Sequence, residues 1–189
     1  MNVDWKIMTA AATAVVVAAS LAALDLRSAL CSIALGLAML AVAVSDARRF
    51  IVPDVISLPA VPIGLLTSAT LASSSAHTVV LAHLAAAGIG AATFYAIKRL
   101  YLLVRKRDGL GLGDVKLAAV AGAWTGADGL ALVILLSCLL AFTFVLIWAL
   151  TKRDTINAAT PIPYGAFLAP SIWVVWFACA IMKADYSMQ

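Results

Sequence analysis

The chain is organised by apolar stretches too long to be core helices of a small soluble domain, separated by short polar or basic joints. A helix of about 18 apolar residues can cross a bilayer. The stretches near 7–24, 28–44, 54–72, 78–97, 130–150 and 166–182 reach or approach that length. A seventh, shorter apolar segment covers 114–125. With 65% hydrophobic residues, 12% charged and a mean hydropathy of +1.07, the chain cannot clothe itself in a water-facing surface. The expected fold is all-α, a polytopic transmembrane helical bundle of about six to seven spans. No repeat, long linker or soluble segment interrupts it, so 1–189 reads as a single integral-membrane domain. The first span, within 1–27, also has the features of a signal peptide: Lys6, an apolar core, then Ala22 and Ala23. An uncleaved first span is the simpler reading, because another span begins directly.

Basic residues set the expected orientation. Nine of the thirteen lie around 46–54, 98–113 and 151–162, and none lies in 73–77 or 126–129. These two groups of joints alternate across a membrane only if 114–125 crosses it or nearly does. At 1.5 Å per residue that segment is short, so the bilayer thins around it or it is re-entrant. The expected topology has a cytoplasmic N-terminus, seven spans and an outside C-terminus, with Asp46, Asp54 and Asp114 at the cytoplasmic edge. Short basic clusters between apolar runs are what topology signalling produces, so the net charge of +4 does not imply a nucleic-acid partner. Cys31, Cys138 and Cys179 stand singly without a CxxC pair, which gives no zinc site and no disulfide framework. His77 and His83 lie near the uncharged joint and lack a patterned Ser, Cys or Asp partner. They read as interfacial or internally satisfied polar groups. Neither a metal nor a cofactor is expected.

The chemistry available is therefore carboxylate chemistry, and all nine acids are Asp. Asp114 follows Gly109-Leu110-Gly111-Leu112-Gly113 and opens an apolar segment; Asp46 stands at the end of the second span. Ionisable residues at such positions are costly to keep and are functional candidates by default. Two carboxylates brought together in a lipid-shielded site tend to share one proton. The ionised one can take a proton from water attacking a peptide carbonyl, and the protonated one can donate to the carbonyl oxygen. Nothing in the sequence alone requires Asp46 and Asp114 to meet.

Three segments carry a family resemblance. Asp46-Ala-Arg-Arg-Phe-Ile-Val-Pro53-Asp54 resembles the first signature of the type IV prepilin peptidases. Gly111-Leu-Gly113-Asp114-Val-Lys116-Leu117 is similar to their GxGD signature, and Pro163-Tyr164-Gly165-Ala-Phe167-Leu-Ala169 to their late segment. They occur in the family's order across about 40–175. The resemblance implies an intramembrane-type aspartic endopeptidase that removes the basic leader of prepilins or pseudopilins at the cytoplasmic face of the bacterial inner membrane. It maps the catalytic pair to Asp46 and Asp114. Asp54 fits a helix N-cap better than a proton-transfer group, since the family position also takes Asn. Gly111 and Gly113 are expected to let the substrate or the Asp46 helix approach; Pro53 suits the first turn of a helix. Lys116 reads as an interfacial or structural charge, pointing away from Asp114. Tyr164 and Phe167 are candidates to line the cleft, and Gly165 is a candidate for substrate binding or structural support.

The joint at Asp25–Arg27 leaves no room for the cysteine-rich loop of the larger members that also methylate, so the likeness is to the compact form. Ala166 stands where Pro is frequent. Two other classes fit acids in apolar spans: a small transporter, and a non-enzymatic subunit of a pilus or secretion system. The substrate's identity and the oligomeric state are not encoded legibly.

Overall fold

The structure is a computed structural model describing residues 4–72, 75–106, 109–152 and 162–187. Ser73, Ser74, Arg107, Arg153, Asp154 and Pro161 lie outside the described residues. Over the described residues the chain is all-helical: α1 (Trp5–Ala23), α2 (Leu26–Arg49), α3 (Asp54–Thr70), α4 (Ala76–Arg105), α5 (Leu112–Lys152) and α6 (Gly165–Ser187). Five of these are long and apolar enough to cross a membrane; α3, at 17 residues, is a shorter apolar helix. This is the all-α, multi-span bundle expected from the sequence.

Three helices outrun their apolar stretches, α6 by continuing through Lys183 to Ser187. α2 continues through Arg49, so Asp46 sits in its last turn rather than in a loop. α4 continues through Lys98 and Arg99 to Arg105. Lys and Arg are good helix formers whose long stems let the charge reach water, so a basic cluster need not end a helix. α2 stops at Phe50, which takes the left-handed conformation (φ 55°) while its amide donates to the Asp46 carbonyl at 2.8 Å. At the other end Asp25 caps α2, accepting from the amides of Arg27 and Ser28. The Ser28 hydroxyl and these amides hold the Asp25 carboxyl below its ordinary range.

α5 is folded back on itself. Gly126, at φ 69° and ψ −171°, occupies a region essentially reserved for glycine and breaks the helix. A straight helix would hold residues 114 and 137 roughly 35 Å apart. Instead the Ser137 hydroxyl lies 2.7 Å from that of Tyr164, whose ring also lies within electrostatic reach of Asp114. The limbs 112–125 and 127–152 therefore run antiparallel. The bend lies beside His83, whose Nδ1 donates to the Ala123 carbonyl at 2.9 Å. His83 is about two turns into α4, so the short first limb stops well inside that helix's end. The ring satisfies a carbonyl of the limb's last turn, which would otherwise lack a partner.

Small residues set the closest contacts. Gly122 lies directly on the backbone of Ala86 and Ala87, and a Cβ at Gly90 would come within 2.7 Å of the Ala118 carbonyl oxygen. Such small-residue seams let membrane helices gain packing contacts where lipid offers no hydrophobic drive. Gly122→Ala is expected to cost about 1–3 kcal/mol by forcing α4 and α5 apart. Gly88→Ala, with nothing within 4 Å of the added carbon, is expected to be neutral. Thermal unfolding of both variants in detergent checks this. On another side of α5, the Trp124 indole donates to the Ala60 carbonyl at 2.8 Å, and its ring fills the space that Gly64 leaves.

Candidate active site

The core-facing stripe of α2 is Leu35, Met39, Val42 and Asp46, spaced four, three and four residues apart, all buried. That of α5 begins Asp114, Leu117, Ala118, Ala121, and that of α6 begins Gly165, Leu168, Ala169, Ile172, again all buried. Helical periodicity thus carries both acids onto the same end of one core. They are 6% and 8% exposed. α6 packs against both α2 and α5, and its first residue, Gly165, stands against both carboxylates.

Gly165 measures the separation. A Cβ placed there would stand 2.9 Å from Asp46 Oδ2 and 3.3 Å from Asp114 Oδ1. Those two oxygens are therefore no further apart than the sum of these distances, about 6.2 Å. Asp46 Oδ2 accepts the Ala166 amide at 2.8 Å, and the Gly165 amide also donates toward this carboxylate. Proline at 166 could not supply that N–H. Asp114 is the third residue of α5, and its carboxylate accepts from the amide of Gly111, just before the helix. This is the side-chain half of a capping box. Lys98 lies within electrostatic reach of Asp114, and its Nζ donates to the Leu110 carbonyl at 2.9 Å.

The remaining candidates divide. Gly113 permits a close approach, but of Val52 in the α2–α3 joint: a Cβ would lie 2.7 Å from that side chain. Gly111 meets only ordinary contacts. Pro53 is the N-cap of α3 and contributes no side-chain cap bond. Asp54 is the first helical residue and caps nothing. Its carboxylate is instead paired with Lys116, which corrects the N-cap expectation and gives Lys116 a partner across the α3–α5 contact. The Tyr164 hydroxyl is engaged by Ser137, its ring lies 6.2 Å from Phe94, and burial pushes its phenol above the ordinary range. Phe167 packs on Phe144. Sequence reasoning missed the Ala166 amide, Lys98 and Ser137. A main-chain donor has no residue-type signal, and the other two carry no motif. A cavity of about 690 Å³ lined by Thr67, Ser68, His83, Thr125 and Lys183 lies at the opposite end of the bundle.

Fold and site together define a polytopic helical membrane protein with two buried, adjacent carboxylates closing one end of its core. The type IV leader peptidase family matches residues 33–146, and the chain belongs to that family. It is 35% identical over 133 residues to a prepilin leader peptidase/N-methyltransferase of Xanthomonas campestris pv. campestris, covering 70% of this chain and 44% of that protein. The Pseudomonas aeruginosa protein so described is 34% identical over 140 residues (72% and 45%). That of Escherichia coli K12 is 32% identical over 131 residues (69% and 55%). The chain thus matches about half the length of these relatives. No solved structure matches.

Proposed function

We propose that this chain is a membrane aspartic endopeptidase that removes the basic leader of prepilin-like proteins, with Asp46 and Asp114 as its two catalytic acids. The observation that carries the reading is that a Cβ added at Gly165 would stand within 3.3 Å of an oxygen of both carboxylates, in a chain of the leader peptidase family. A water molecule between the acids loses a proton to the ionised one as it attacks the scissile carbonyl. The protonated partner donates to the carbonyl oxygen, and the roles reverse as the amine leaves. The scissile segment must be extended to reach the pair, so it unwinds locally or enters non-helical.

The reaction belongs at the basic-rich ends of the helices, which the distribution of Lys and Arg assigns to the cytoplasmic side of a bacterial inner membrane. Co-expression with candidate prepilins tests the reading. Mass spectrometry of the pilin should show loss of the leader only when the intact chain is present, and an unchanged mass with every candidate would sink it. Asp54, 57% exposed and paired with Lys116, is a structural charge in this scheme. Asp54→Asn should leave cleavage within about threefold of wild type, as expected for an exposed ion pair. The same mass assay reads it.

A further inference from the structure

α2 has a second face. Leu37, Ala41, Val44 and Arg48 recur at four, three and four residues on the side turned away from Asp46. With Thr9 and Thr13 of α1 they line a cavity of about 490 Å³. A Cβ at Gly36 would meet Val16 of α1, and the Ser20 and Ser32 hydroxyls bond at 2.8 Å one turn further on. Between that contact and Arg49 the cavity forms a wedge whose α2 wall is mainly apolar (Leu37, Leu40, Ala41 and Val44) and whose α1 wall is Thr9 and Thr13. Its far end carries Arg48 and Arg49, both exposed, and Arg48 lies over the Trp5 ring at 5.9 Å. Among the described residues neither arginine is in an ion pair, and no carboxylate lines the wedge.

We infer that this wedge is a binding site for one anionic phospholipid, its phosphate on Arg48 and Arg49 and an acyl chain lying against Leu37, Ala41 and Val44. Charge selects the headgroup: two guanidinium forks with no acid between them suit a phosphodiester, and basic pockets between membrane helices are where such headgroups lodge. Length selects a lipid over a helix. Leu37 to Arg49 spans roughly 18 Å, little more than half of a hydrocarbon core of about 30 Å. The wedge closes at Gly36, so it admits the depth of one leaflet and not a membrane-crossing helix of a substrate or of a second copy.

The test uses the full chain in phosphatidylcholine nanodiscs containing a photoactivatable phosphatidylglycerol, with labelled peptides read by mass spectrometry. Labelling should concentrate on the peptides holding Thr9–Thr13 and Leu37–Val44. Unlabelled phosphatidylglycerol should compete, and added phosphatidylcholine should not. Arg48→Gln/Arg49→Gln should reduce this labelling by roughly thirtyfold, the effect of removing two basic residues at a membrane surface. Arg105→Gln/Lys106→Gln, which removes charges outside the wedge, should leave it unchanged. Label spread evenly over other lipid-facing segments such as 139–150, equal label in both double variants, or cross-links to a second copy would each overturn the site. Should the arginine variant fail to insert, Ala41→Trp fills the wedge while keeping both charges. Undiminished label in it overturns the proposal equally. The readout requires no peptidase activity, so its failure is distinct from failure of the proposed reaction.

Discussion

Asp46→Asn and Asp114→Asn are each expected to abolish leader removal, lowering the cleavage rate by roughly 10³-fold or more, while the protein still inserts and folds. General acid and general base contributions of about 10²–10⁴ each are lost when the transferable proton or its acceptor is removed. The two acids act as one unit on one water, so the double variant should be no worse than either single one. Folding is preserved because Asn has nearly the shape of Asp and keeps a carbonyl oxygen for the Ala166 amide, now 2.8 Å from Asp46 Oδ2. Replacing one of two adjacent buried carboxylates also relieves their repulsion, so thermal stability should hold or rise. Co-expression with a cleaved prepilin, read by pilin mass, and unfolding in detergent check both halves. Either variant cleaving within tenfold of wild type would remove its acid from the mechanism.

Gly165→Ala is the second large effect, and its origin is geometric. The added methyl carbon would stand 2.9 Å from Asp46 Oδ2 and 3.0 Å from its Cγ, and 3.3 Å from Asp114 Oδ1. It occupies the space between the acids, so the carboxylates must part or the start of α6 must withdraw. Withdrawal loses the Ala166 bond to Asp46. Either way the near-attack arrangement of acid, water and acid is lost, and misplacement by about 1 Å is enough to cost roughly 10²-fold. Strain of this kind costs about 1–3 kcal/mol. A fall in activity of at least roughly 10²-fold with a modest drop in melting temperature is expected. The control is Gly111→Ala, whose Cβ meets nothing closer than 3.4 Å. Full activity in Gly165→Ala would mean that the space between the acids is not where reaction occurs.

Much of this molecule is written in its periodicities. The apolar stretches predict the helices because a chain in lipid must satisfy its backbone within each segment. Gly126-Ala127-Asp128-Gly129 marks the reversal of α5 because few other residues can take the conformation found at Gly126. The two acids stand out because carboxylates are expensive in apolar surroundings. Where helices end was less legible: Lys98, Arg99 and Arg48 look like loop signals in a hydropathy pattern, yet each is helical. Asp54 looks like a cap by position. Its actual partner, Lys116, lies 62 residues away, beyond any local rule.

The sequence by itself determined the solvent, the helices, the buried face of each and the residue types able to transfer a proton, since all of these follow from local composition and a 3.6-residue period. Tertiary structure alone decided that Asp46 and Asp114 share one end of the core. α6 packs on both of their helices, and the missing side chain of Gly165 leaves the gap that the two carboxylates face. A gap between three helices is a property of their packing, and no segment of the chain contains it.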